Sequence, residues 1–251
     1  MTQTVRLLGA LLLGAVLFGC SEQEANLPNP ADRPAAITPS PRTVEYEWMS
    51  IERWNTLHAE DVAIAEEGDV DLLFIGDSIT EGWPPALMEE YFGDYQWANF
   101  GIGGDKTENL LWRLNNGAVG NLDPQAVSLL IGVNNLGLSQ HSPDDVALGV
   151  QAVVETLLDA FPNARILVHG VFPYRESPDD PARDQVRQIN RQIANLASEE
   201  RVFYLNIGDQ LVEEDGHIST DIMPDHLHLS EQGYRIWAGN LQPIFADWLE
   251  E

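Results

Sequence analysis

Three features of the sequence predict an α/β fold, a three-layer sandwich with a central parallel sheet of about five strands and helices on both faces. The first is a set of short apolar runs, of which Val70 to Ile75 is the strongest, broken only by Asp71 and ended by Gly76. Such runs, without polar alternation, mark strands buried on both faces, as in parallel sheets. The second is their alternation with helical patterns, the signature of βαβ units. The third is the strand ends, where Gly, Asn, Asp and Ser gather. Ligands in this architecture sit at the carboxyl ends of the strands.

Met1 to Gly19 reads as a secretory leader. Arg6 and the amino terminus supply its positive charge, and Leu7 to Phe18 is apolar apart from Gly9 and Gly14. That run is too short to span a bilayer but suits a signal-peptide core. Leu17-Phe18-Gly19-Cys20 then resembles the lipobox of bacterial lipoproteins, in which the cysteine becomes the lipidated first residue. Phe18 stands where a small residue is usual. The plainer alternative is a secreted protein with an incidental cysteine. Cys20 is the only cysteine, so it has no internal disulfide partner. Residues 20–43 hold Pro28, Pro30, Pro34, Pro39 and Pro41 without apolar periodicity, which predicts an extended tether. The expected order is leader 1–19, lipidated tether 20–43 and one domain, 44–251. The expected place is the bacterial cell envelope, facing periplasm or exterior.

Charge narrows the partners. The chain carries 40 Asp and Glu against 13 Lys and Arg, a net −27, and Lys106 is the only lysine. Such a surface repels nucleic acid and anionic head groups, so membrane attachment would rest on the lipid alone. The acidity suits a saline habitat and equally plain solubility.

Glu45 to Glu67 places Trp48, Ile51, Trp54, Leu57, Val62 and Ile64 at roughly helical spacing before the first strand. Trp97 to Phe100 predicts the second strand, and Thr107 to Leu114 a helix with Thr107 its candidate cap. Ala126 to Ile131 is the third strand. The helix Pro143 to Phe161 follows, with Ser142 placed to cap it and an apolar stripe through Val146, Val150, Val153, Val154, Leu157 and Leu158. Arg165 to Val171, Ala182 to Ala197, Val202 to Ile207 and Ser230 to Leu249 read as strand, helix, strand and final helix.

Four loops carry the chemistry. Gly76-Asp77-Ser78 puts a serine at a strand end, where a helix can begin and backbone N–H groups can face an oxyanion. Gly101-Ile102-Gly103-Gly104 lets backbone approach a ligand closely but lacks the spacing of a dinucleotide fingerprint. Asn134, after the third strand, can donate a side-chain N–H without adding charge. Asp225 and His228, three apart before the last helix, can pair so that the carboxylate orients the imidazole. His226 competes with His228 but sits beside Asp225. His58, His141 and His169 lack an acidic residue at that spacing before them and, with His217, read as packing or surface residues. No metal cluster, Walker loop or flavin motif is present, so no metal or cofactor is implied.

Together the four loops resemble the GDSL, or SGNH, hydrolase family and, within it, the catalytic subunits of platelet-activating-factor acetylhydrolase. The likeness runs through Asn99-Phe100-Gly101-Ile102-Gly103-Gly104-Asp105 and Leu111-Trp112-Arg113-Leu114, and covers roughly residues 70–248. It implies the flavodoxin-like SGNH fold and a serine esterase without cofactor. Carried over residue by residue, it makes Ser78 the nucleophile, His228 its base and Asp225 the orienting acid. The oxyanion donors would be Ser78 N–H, Gly104 N–H and the Asn134 side chain, with Gly103 the alternative to Gly104. Ile79 stands where the family name implies Leu, and Val133 where relatives usually have Thr.

The resemblance further implies short, chiefly acetyl, esters of a hydrophilic or carbohydrate alcohol. Lysophospholipase and thioesterase chemistry remain open within the family. Trp83 and Trp112 are candidate contacts for the leaving group, with core packing as the alternative. Two rivals come from other classes: a carbohydrate-binding lipoprotein without catalysis, and a nucleotide-handling protein using the Gly-rich loop. Ser78, Asp225 and His228 together disfavour the first, and the acidity disfavours the second. The oligomeric state is not legible.

Overall fold

The structure is a computed structural model that describes residues 33–198 and 200–249. The leader, Cys20 and the first part of the tether lie outside the described residues.

Five parallel strands form one sheet: β1 (Leu72–Gly76), β2 (Trp97–Gly101), β3 (Ala126–Leu130), β4 (Arg165–His169) and β5 (Val202–Leu205), in the order β2-β1-β3-β4-β5. β1 and β3 are buried along their whole length, which is why their sequences show no polar alternation. The larger helices are α1 (Ile51–Glu67), α6 (Pro143–Ala160), α7 (Pro181–Ile193) and α8 (Glu231–Leu249). Ser50 caps α1 by accepting from Arg53 N, and Ser142 caps α6 by accepting from Asp145 N. Each satisfies an N–H that helix geometry leaves open. Phe74, Phe92 and Phe245 are fully buried and meet edge to face or tilted.

Register explains why separate loops meet. Gly76 pairs with Gly101 on β2 and with Leu130 on β3, so three strands end at one level. Their order reverses at β1, and such a switch point opens a crevice for ligands. The short helices α2 (Ser78–Glu81), α4 (Thr107–Arg113) and α5 (Val133–Gly137) follow these ends. α2 sits so low on the sheet that a Cβ on Gly76 would collide with Leu130 O and the Thr80 hydroxyl. Only glycine fits there.

Three differences from the sequence reading have physical causes. Residues 85–92, to which the sequence assigns no element, form α3 (Pro85–Phe92), because a proline at the first helical position is compatible with a helix. Thr107 is the first residue of α4 rather than its cap, and its hydroxyl donates to Ala36 O at 2.8 Å.

The third concerns the boundary placed after residue 43. The packed unit begins at Pro34, so the last ten tether residues belong to the domain. Ala36 is fully buried, Ser40 N–H donates to Glu108 O at 3.0 Å, and Asn109 Nδ2 donates to Ser40 O at 3.0 Å. Buried Arg42 reaches Gly103 O at 2.6 Å. Proline content suggested a free linker, but it also suits a segment that packs by its backbone without a ladder. A chain cut to begin at Val44 should therefore be damaged, whereas one beginning at Arg33 should not. Losing Arg42 from its buried carboxylate costs roughly 3 kcal/mol, or roughly 6–12 °C in Tm for a domain of this size. Thermal unfolding of the two truncations checks this; equal Tm values would return the boundary to residue 44.

Candidate active site

Ser78 is the first residue of α2, where its backbone N–H has no intrahelical partner. Asp77 caps the helix from below by accepting from Ile79 N at 3.0 Å. Ser78 Oγ lies 2.9 Å from His228 Nε2, and His228 Nδ1 lies 2.6 Å from Asp225 Oδ2. With Nδ1–H donated to Asp225, Nε2 is left to accept the serine proton. Asp225 Oδ1 also accepts from Leu227 N at 3.1 Å and His228 N at 2.7 Å, so the carboxylate is held at both oxygens. Partial burial pushes the Asp225 carboxyl up, but the hydrogen bonds from the His228 side chain and backbone outweigh it and hold it below its ordinary value. Tyr234, on α8, donates its hydroxyl to Ile79 O at 2.7 Å and so ties the helix after His228 to the serine turn.

The glycine loop offers one free donor. Gly103 N–H is taken by Glu81 Oε2 at 2.6 Å, which removes Gly103 as an oxyanion donor. Gly104 follows at φ +74°, in the left-handed region that favours glycine. Its N–H has no partner among the described residues. Asn134 is nearly buried, and one N–H of its amide donates to Asp105 O at 3.0 Å. The bond fixes the amide and leaves the second N–H to a ligand. Ser78, Gly104 and Asn134 thus come from the ends of three adjoining strands. A nucleophile–base–acid relay beside three such donors is equipped for acyl transfer.

A family model described as the GDSL-like lipase/acylhydrolase family matches residues 74–236. The human platelet-activating factor acetylhydrolase IB subunit alpha1 is 35% identical over 208 residues, covering 82% of this chain and 85% of its own. The chain belongs to the GDSL-like lipase/acylhydrolase family. The rat subunit alpha2 of the same acetylhydrolase is 32% identical over 225 residues, covering 87% of this chain and 93% of its own. Among solved structures, a GDSL-like lipase from Bacteroides thetaiotaomicron aligns with TM-score 0.65 at 20% identity, over 77% of this chain and 97% of that one. Axe2, an acetylxylan esterase from Geobacillus stearothermophilus, aligns with TM-score 0.56 at 20% identity, over 69% and 93%. At these identities the two structures share the fold.

The other histidines of this GDSL-family chain lie elsewhere. His226, at φ +57°, turns its Nδ1 to Ile218 O at 3.1 Å and does not join the serine. His58 packs between Trp54 and Trp112. His169 meets Ser128 at 2.8 Å in the core, and burial pushes its pKa down to about 3. His141 lies against the Asn135 amide, and exposed His217 pairs with Asp215 at 3.1 Å. Trp83 is buried among Phe74, Tyr234 and Trp237, which gives it the core-packing role, and half-buried Trp112 packs on Trp54. Among the described residues, no group of three or more His, Cys, Asp or Glu is placed to hold a metal ion.

What the sequence reading missed is the support beneath the loop. Fully buried Arg113 donates from Nε to Asp105 at 2.8 Å, from Nη1 to Asp61 at 2.9 Å and from Nη2 to Phe100 O at 2.9 Å. Asp105 also accepts from Trp54 Nε1 at 2.6 Å and faces Arg42 at 3.4 Å. Burial pushes Asp105 up, and Arg113, Trp54 and Arg42 oppose it. The signal was available: an arginine set in Leu110-Leu111-Trp112-Arg113-Leu114 must be buried, and a buried cation needs carboxylates. Beside Asn134 and Asp225 runs an open cleft of about 550 Å³, lined in part by Val133, Leu138, Tyr174, Arg175 and Leu227.

Asp77 gives a pH prediction. Burial pushes its carboxyl up to about 7, opposed by the Ile79 N–H. The folded protein therefore holds a proton that the unfolded chain gives up above its ordinary value of 3.8. This contribution to stability is complete below that value and is lost as pH climbs towards 7. Tm should fall less between pH 4 and pH 8 in Asp77→Asn than in the wild type. Parallel curves would remove Asp77 from the titration.

Proposed function

We propose that this protein is a serine esterase that cleaves short-chain, chiefly acetyl, esters through an acyl-serine intermediate. The observation that carries the reading is the relay Ser78 Oγ–His228 Nε2–Asp225 at 2.9 and 2.6 Å beside three oxyanion donors. His228 takes the proton as Ser78 Oγ attacks the ester carbonyl. The negative charge on the former carbonyl oxygen is held by Ser78 N–H, Gly104 N–H and the Asn134 amide. His228 then gives the proton to the departing alcohol, and water releases the acid by the same route.

Family membership supports ester hydrolysis, and two names among the relatives, acetylhydrolase and acetylxylan esterase, support an acetyl group. The connections after Ser78 are short, with α3 filling most of the stretch to β2 and leaving no room for an apolar lid. The test is kcat/KM on p-nitrophenyl acetate, butyrate, hexanoate and octanoate. An open apolar channel would gain ~0.8 kcal/mol per CH₂, roughly two orders of magnitude for four carbons. The expected result is a fall with chain length. A steady climb to octanoate would make the cleft lined by Val133, Leu138 and Leu227 an acyl channel and replace this reading with a lipase or lysophospholipase one.

We also propose that Cys20 carries a lipid and holds the enzyme in a bacterial envelope, with the acidic domain outside the cytoplasm. No helix among the described residues is long and apolar enough to cross a membrane. Cys20→Ser should move the protein from the membrane fraction to the soluble one; an unchanged distribution would set the anchor aside.

A further inference from the structure

The most exposed large apolar side chain among the described residues lies just before α1. Trp48 is 57% exposed, although its edge rests on the oxyanion loop. A Cβ on Gly104 would lie 2.5 Å from its Cη2 and 3.0 Å from its Cζ3. One face of the indole is stacked on Tyr46, with centroids 4.7 Å apart and planes 14° apart. Tyr46 is backed by the Arg42 guanidinium, 5.6 Å from its centroid. Tyr46 and Met49 exchange backbone hydrogen bonds at 3.1 and 3.2 Å, and buried Met49 anchors the turn against Gly103. The indole is thus pinned at one edge and one face, and the opposite face is open.

We propose that Trp48, backed by Tyr46, is a stacking platform for a sugar ring of the ester substrate. The proposal rests on the reading of Ser78 as an esterase nucleophile. Three observations choose a sugar over a lipid chain. The platform is a single flat ring in the open, which matches the apolar face of a pyranose but gives an alkyl chain no walls. Its neighbours Glu45 and Glu47 are exposed carboxylates, which accept hydrogen bonds from hydroxyls and repel anionic head groups. Its edge touches the residue whose N–H faces the reacting carbonyl, so a ring stacked there belongs to the molecule being cleaved. Trp48 is a specificity residue in this account and takes no part in proton transfer.

The test compares acetylated xylotriose with ethyl acetate, which carries the same acyl group and no ring, in the full-length protein. Trp48→Ala should lower kcat/KM on the xylotriose ester ~10-fold more than on ethyl acetate, mainly through KM, and Trp48→Phe should recover most of the difference. Equal losses on both esters would overturn the platform and leave Trp48 as packing on Gly104. Calorimetric binding of acetylated xylotriose to Ser78→Ala gives a second reading, free of turnover. Adding Trp48→Ala should weaken it ~10-fold, and unchanged affinity would overturn the proposal. If the wild type cleaves neither ester, the acetylesterase reading falls, and the binding comparison alone decides the platform.

Discussion

Ser78→Ala should abolish turnover, the largest effect expected of any single substitution in this chain. In a comparable serine hydrolase, loss of the nucleophile costs roughly 2 × 10⁶ in kcat. Among the described residues only Ser78 Oγ is placed against His228 Nε2, and the other serine–histidine pair, Ser128 with His169, is sealed in the core. His228→Ala should cost nearly as much, and the double variant little more, because the two act as one unit. A fluorophosphonate should add its mass to Ser78 in the wild type and to nothing in Ser78→Ala. Wild-type rates in the purified alanine variant, or a label on another serine, would end the nucleophile assignment. Circular dichroism should show an unchanged fold, since a half-exposed hydroxyl at a helix start contributes little packing.

Ser78, Gly104, Asn134, Asp225 and His228 could be singled out in sequence because each sits where local rules are strong. Ser78, Gly104 and Asn134 follow apolar strands in the turn chemistry that ends them, and Asp225 and His228 sit at a spacing that one turn can close. Gly104 could not be separated from Gly103 in sequence. The choice depends on Glu81, whose carboxylate takes the Gly103 N–H across a gap of 22 positions. Distance in the chain also hid the rest. Arg42 meets Asp105 across 63 positions and Arg113 meets Asp61 across 52, separations at which no spacing rule operates. The tryptophans show the same limit. Helical periodicity put Trp48 and Trp54 on one element, yet Trp54 is fully buried on Asp105 while Trp48 lies before the helix begins, open to solvent. Pattern gives a residue its face; only packing decides whether that face is covered.

Asn134→Ala should lower kcat by roughly 10²–10³, the cost of removing one oxyanion donor in a related chemistry, with KM changed little. The reason lies in when the bond matters. A neutral carbonyl oxygen gains modestly from a third N–H, whereas the oxyanion formed on attack gains much more, because the hydrogen bond is then to a charged acceptor. An interaction made chiefly in the transition state appears in kcat and not in KM. The structure adds a complication that the experiment must separate. The amide of Asn134 also donates to Asp105 O, and alanine would leave that buried carbonyl without this partner. Such a loss costs about 1–3 kcal/mol, which should appear as a lower Tm. Turnover measured well below the variant's Tm, where it is fully folded, isolates the catalytic part. Asp105 keeps Arg113, Trp54 and Arg42 on its carboxylate, so the glycine loop should hold its place and Gly104 should still donate. The variant should therefore retain a low kcat, above that of Ser78→Ala. A change confined to KM would remove Asn134 from the oxyanion hole and leave it a support for the Asp105 loop.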